Sequence, residues 1–137
     1  FDITYEGQAA ILLEEAQDWR EQGAYELPVI NRNGLLEADT AALFAQAARD
    51  IQRPGVMARR FHRGLGLGLA RWARDAADVC GTDNIVLAGG VFNNRTLLTE
   101  LTAELGRLGL TAYIPRHFPA GDGAVSLGQA FWGIMYP

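Results

Sequence analysis

Residues 84–98 read NIVLAGGVFNNRTLL, and their character changes twice. Ile85, Val86, Leu87 and Ala88 form a short apolar run of strand length, Gly89-Gly90 interrupts it, and Leu97, Leu101, Leu105 and Leu108 then recur at helical spacing. After Gly109, Thr111–Ile114 reads as a second strand, so the intervening helix is a crossover between parallel strands. The glycines fall where the first strand ends, the edge at which open α/β sheets bind ligands. Without Cβ atoms they let backbone N–H groups approach a ligand, and the following helix N-terminus favours an anionic oxygen. Asn93 and Asn94 add amide groups there. The plainer alternative is a tight βα turn with an Asn as helix cap, and a glycine-rich turn alone does not choose between them.

Downstream, PRHFPAGDG leads into a closing helix carrying Leu127, Phe131 and Ile134. Asp122 stands between two glycines just before that helix, as an N-cap or as a carboxylate exposed to a hard cation. Upstream, a long helix after Pro54 has the seam Met57, Phe61, Leu65, Leu69, Trp72, Ala76 and Val79. Gly64, Gly66 and Gly68 interrupt it, which predicts a bend or the close approach of another backbone. His62 within that helix reads as structural, since no nucleophile partners it, and His117 as part of a solvated loop. Asp39 caps a shorter helix with the stripe Ala41, Phe44, Ala48 and Ile51. Residues 24–36 alternate around Asn33-Gly34 and predict a β-hairpin, with Pro28 placing its first strand at an edge or bulge. Residues 6–22 predict a helix burying Ala9, Leu12 or Leu13, Ala16 and Trp19. Glu6 and Gly7 open it, where Glu6 complements the helix dipole or reaches a ribose hydroxyl.

Composition bounds the function. The 137 residues suit one domain, read here as a partial one spanning 1–137, since the chain opens on Phe1. A net charge of −4 argues against a nucleic-acid backbone binder, and no apolar run reaches membrane-span length. All 12 basic residues are Arg, which removes phosphate-loop and Schiff-base lysines from consideration. Cys80, the sole cysteine, permits no internal disulfide, fits a reducing cytoplasm, and reads as a buried structural thiol.

LAGGVFNNRTLL (87–98) followed by PAGDGAVSLGQA (119–130) resembles the C-terminal end of the nickel–iron hydrogenase maturation carbamoyltransferases. TYEGQAAILLE (4–14) and FHRGL (61–65) are similar to further segments of that family, in the same order. Related blocks occur in tRNA threonylcarbamoyladenosine transferases and O-carbamoyltransferases. The resemblance implies the second lobe of an actin/hexokinase-superfamily (ribonuclease H-like) domain, without the first lobe. It also implies use of carbamoyl phosphate and ATP through a carbamoyl-adenylate. The carbamoyl group then passes to the C-terminal cysteine of a hydrogenase maturation partner, for a cyanide ligand of iron. By resemblance, Gly89, Gly90 and Asn94, with Asn93 beside them, cradle the adenylate. Glu6 and Gly7 lie near the ribose, and Asp122 is a ligand of a divalent metal (iron, zinc or magnesium). No residue is assigned as catalytic. The chain departs from the family pattern at Gly121, usually Asn, and at Ala124, often Gly. The histidines that complete the family's metal site match nothing here. The nearest enzymatic alternative is a tRNA-modifying relative, and a non-catalytic nucleotide-binding scaffold is the alternative from another class.

Overall fold

The long central helix organises the chain. The computed structural model describes residues 2–136. In order it contains α1 (Gln8–Glu15), the strands β1 (Val29–Arg32) and β2 (Leu35–Ala38), α2 (Thr40–Arg49) and α3 (Pro54–Cys80). Next come β3 (Asn84–Val86), a 3₁₀ turn (Gly90–Asn93), α4 (Arg95–Arg107), β4 (Thr111–Tyr113), a second 3₁₀ turn (Asp122–Ala124) and α5 (Val125–Met135). The class is α/β, rich in helix with two small sheets.

Helix α3 runs unbroken between two apolar clusters. One gathers Ala70, Ala77, Leu87, Leu101, Leu105 and Leu110; the other gathers Tyr25, Leu27, Leu43 and Ala47. The glycines of α3 are what bring these layers together. A Cβ on Gly64 would overlap the backbone of Tyr25, and one on Gly68 the side chain of Leu27. One on Gly66 would lie 2.9 Å from Cβ of Glu100 in α4. Close approach is therefore the reason for all three, and the bend is not needed. The extended segment carrying Tyr25 and Leu27 lies across α3, with the Tyr25 N–H donating to the Arg60 carbonyl at 3.1 Å.

Strands β1 and β2 pair antiparallel across Asn33-Gly34, both at positive φ (56° and 88°). The hairpin is as expected but begins after Pro28, so Tyr25 and Leu27 serve the core as coil. Strands β3 and β4 pair parallel across α4, with Ile85 opposite Ala112. Asp39 caps α2 by accepting from Ala42 N–H at 3.0 Å, and Pro54 opens α3.

Several expectations are corrected. The first helix stops at Glu15, because the buried Gln17 amide donates to the Glu14 carbonyl (2.8 Å) and to Thr96 Oγ1 (3.0 Å). Asp18 N–H then bonds Gly55, turning the chain back onto α3. Trp19 consequently lies outside, 62% exposed, with the Arg59 guanidinium over its ring at 5.1 Å. In α2 the buried stripe is Leu43 and Ala47, one residue out of phase with that read from the sequence, and Phe44 and Ile51 are exposed. In α3, Met57, Phe61, Leu65 and Leu69 pack against the second cluster, but Val79 is exposed and the deepest face is Ala58, His62, Gly66 and Ala70. Cys80 is exposed, because it ends α3 immediately before the left-handed Gly81. His62 is buried and His117 exposed, as expected.

A buried ionic network fixes the second cluster. The Tyr25 hydroxyl donates to Asp50 Oδ2 at 2.7 Å, which also accepts from Arg60 at 3.0 Å; Arg53 pairs with Oδ1. The tyrosine bond, then Arg53 and Arg60, hold the Asp50 carboxyl below its usual range. Burial, then the bond to Asp50, push Tyr25 up to about 12. Asp50 thus contributes stability above the ordinary carboxylate range, lost as pH falls through its depressed folded value. Tyr25 contributes below the ordinary tyrosine value of about 10, and that share is lost as pH rises towards about 12. Denaturation midpoints followed against pH should show Asp50→Asn flattening the acid limb and Tyr25→Phe the alkaline one.

Candidate nucleotide site

The βα turn is built from glycine geometry. Gly89 has φ 115° and ψ 155°, a conformation open essentially to glycine alone. Its N–H donates to the Ala120 carbonyl at 2.6 Å, and its carbonyl accepts from Phe92 N–H at 3.2 Å. A Cβ at either Gly89 or Gly90 would meet nothing within 4 Å, so the turn faces open space. Among the described residues the N–H groups of Gly90 and Val91 donate to no protein acceptor. Two neighbouring unpaired N–H donors on an exposed glycine turn are suited to an anionic oxygen.

The second motif closes on the first. Besides the Gly89–Ala120 bond, Gly121 abuts Gly90: a Cβ there would lie 3.3 Å from Gly90 Cα and 3.4 Å from its nitrogen. A side chain at position 121 would therefore press on the Gly90 backbone, and glycine lets the two loops lie close. Asp122 follows at the start of its 3₁₀ turn, exposed, and its carboxylate accepts no hydrogen bond among the described residues. The cap reading does not hold, since Gly121 and Ala124 occupy the cap positions. Asp122 alone offers too few donors for a metal, and no group of three His, Cys, Asp or Glu capable of holding one occurs among the described residues. These residues by themselves do not make a metal centre.

Asn93 is exposed in the 3₁₀ turn, whereas Asn94 is committed to structure. Its Oδ1 caps α4 by accepting from Leu97 N–H at 2.8 Å, and its Nδ2 lies 2.9 Å from His62 Nε2. The Glu14 carboxylate accepts from Thr96 N–H at 2.8 Å. The N-terminal donors of α4 are thus largely taken by protein, leaving the glycine turn as the open part. Gly7 starts α1 at φ 83° with Glu6 exposed beside it, and no hydrogen bond joins either to the glycine turn or the Asp122 loop among the described residues. The bracing residues Glu14, Gln17 and Thr96 were not singled out from the sequence; they become visible only when α1 and α4 are packed together. A separate cleft of about 430 Å³ between α1, α3 and α4 is lined by Glu14, Trp19, Arg59, Arg95, Thr96 and Glu100, and not by the glycines.

Residues 1–129 match the family model described as the second subdomain of the Kae1-like domain of carbamoyltransferases. The chain belongs to this carbamoyltransferase family. It is 37% identical to the carbamoyltransferase HypF homolog of Cupriavidus necator, over 96% of this chain and 36% of that protein. It is 31% identical to carbamoyltransferase HypF of Synechocystis, over 93% of this chain and 16% of that protein. A crystal structure of full-length HypF in a phosphate- and nucleotide-bound form superposes with TM-score 0.88 at 27% identity, covering 99% of this chain and 18% of that one. HypF of T. kodakarensis gives 0.80, also at 27% identity, over 99% of this chain and 18% of that one. The chain thus spans about a third or less of these relatives' length. No helix among the described residues is long and apolar enough to cross a membrane.

Proposed function

We propose that this chain is the nucleotide- and carbamoyl-adenylate-binding half of an ATP-dependent carbamoyltransferase of hydrogenase maturation, acting in the cytoplasm. The observation that carries the reading is the abutment of the Gly89-Gly90 turn with the Ala120–Asp122 loop, two motifs distant in sequence that meet at one open surface. The nucleotide-bound relative of the same fold supports it.

In this reading the free N–H groups of Gly90 and Val91 hold an oxygen of the adenylate, with Asn93 at the rim and Glu6 and Gly7 towards the ribose. Backbone donors fixed in place stabilise charge developing on the carbonyl oxygen without reorganising during the reaction. The acceptor's C-terminal cysteine, as thiolate, attacks the carbamoyl carbon; a C–S bond forms, the C–O bond to the phosphate breaks, and AMP leaves with the electron pair. The nucleophile belongs to the partner protein, so Cys80→Ser should leave transfer unchanged. Asp122 would supply one ligand of a divalent metal completed by residues outside this segment, and such a metal would serve to polarise an oxygen. The first lobe of the domain would cover apolar groups left open here, among them Val86, Tyr113, Phe131 and Trp132.

The test is made on the full-length protein with ATP and carbamoyl phosphate. Carbamoyl-phosphate-dependent release of AMP in the presence of the acceptor is expected, and its absence overturns the reading. Asp122→Ala should lower that rate by at least about 10-fold. Because the side chain is exposed and unbonded, its effect on unfolding free energy should stay within about 0.5 kcal/mol.

A further inference from the structure

From the geometry we infer that His62, buried on α3, is a positioning residue for the nucleotide turn, acting through Asn94. The inference rests on the nucleotide reading above. His62 is 3% exposed, and its Nδ1 lies 2.8 Å from the Ala58 carbonyl one helical turn earlier. A carbonyl only accepts, so Nδ1 carries the hydrogen and donates. At the other side of the ring, Asn94 Oδ1 is already held by Leu97 N–H, which turns Nδ2 towards His62. Nε2 therefore accepts from Nδ2 at 2.9 Å, and each group fixes the orientation of the other.

Asn94 is the joint between the 3₁₀ turn and α4. Its N–H donates to Val91 at 3.1 Å, closing the turn that begins at Gly90, and its carbonyl accepts from Leu98 N–H, opening the helix. A line of bonds thus runs from Ala58 through His62 and Asn94 to the segment carrying the free N–H groups of Gly90 and Val91. The Phe61 and His62 rings meet in a T-shaped arrangement, centroids 6.0 Å apart. The other polar holds on α4 fall elsewhere: Glu14 and Gln17 hold Thr96, and Arg59 and Arg63 of α3 pair with Glu100. Among the described residues, the His62–Asn94 bond is the hydrogen bond that ties this joint to the central helix.

ATP affinity of the full-length protein, measured by calorimetry, tests the assignment with His62→Phe, His62→Gln, Asn94→Ser and the Phe/Ser double variant. Phe keeps the ring's bulk without nitrogens; Gln offers a donor and an acceptor in the same sense; Ser keeps the helix cap but is too short to reach His62. Either His62→Phe or Asn94→Ser should weaken ATP binding about 10-fold, the scale of a buried polar group losing its partner. The double variant should fall within about twofold of the weaker single, and Gln should stay within about threefold of the unsubstituted protein. If His62→Phe fails to fold, the contrast of a weak Asn94→Ser with a near-normal His62→Gln still carries the result. Unaltered affinity in Asn94→Ser and His62→Phe, or losses that multiply in the double variant, overturns the assignment alone. Failure of the unsubstituted protein to bind ATP overturns the nucleotide reading, and this assignment with it.

Discussion

Gly64→Ala should cost the protein about 3 kcal/mol or more, at the upper end for an overpacked core, seen as a collapse of the urea midpoint. The added carbon would overlap the backbone of Tyr25, and a backbone cannot move aside as the tip of a side chain can. Nor can the segment lift away, since Tyr25 is pinned by its N–H on Arg60 and by its hydroxyl on Asp50. Against a total stability of about 5–15 kcal/mol, such a loss is large. Gly106→Ala is the control. That glycine is helical, has open space where its Cβ would go, and lies outside the left-handed region. It should gain about 0.5–1 kcal/mol. If both substitutions behave alike, close packing is not why α3 carries its glycines.

Gly89→Ala should act on the site and much less on the core. At φ 115° the turn admits an L side chain only with strain of about 1–3 kcal/mol, although the space in front is open. The turn would relieve that strain by rotating the peptide that donates to Ala120, which also holds the Asp122 loop in place. Loss of ATP binding by at least about 10-fold is expected, matching that strain, with unfolding cooperativity retained. Limited proteolysis should report the change as faster cleavage around residues 115–121. Unchanged cleavage and affinity would show that the two loops are held together by something other than this turn.

Much of the architecture was legible because local signals and packing agree. Asn33-Gly34 demands positive φ and finds it, Asp39 and Pro54 sit where a helix start wants them, and the β3–α4–β4 unit follows from its periodicity. The phase of α2 was not legible. In an alanine-rich helix, Phe44 with Ala48 and Leu43 with Ala47 are equally spaced stripes, and only tertiary contact selects the second. The early end of α1 was hidden for a related reason. Gln17 stops the helix only because Thr96, far along the chain, gives its amide a buried partner. Trp19 reads as core and stacks on a guanidinium instead.

Of the site, the motifs were legible and their meeting was not. Sequence order cannot say that Gly121 lies against Gly90, nor that Asp122 is free of capping duty. Asn94 shows the limit in the other direction. Its residue type and place suit both a ligand contact and a helix cap, and the structure spends its side chain on the cap and on His62.

The most direct measurement is ATP titration of the full-length protein beside its Gly90→Val variant. Gly90 lies outside the left-handed region and has open space where a side chain would point, so valine there should leave the thermal midpoint essentially unchanged. It would occupy the space in front of the free N–H groups, and ATP affinity should fall by at least about 10-fold, corresponding to about 1.4 kcal/mol. Full ATP affinity in a folded Gly90→Val protein would contradict the claim that this turn cradles the nucleotide.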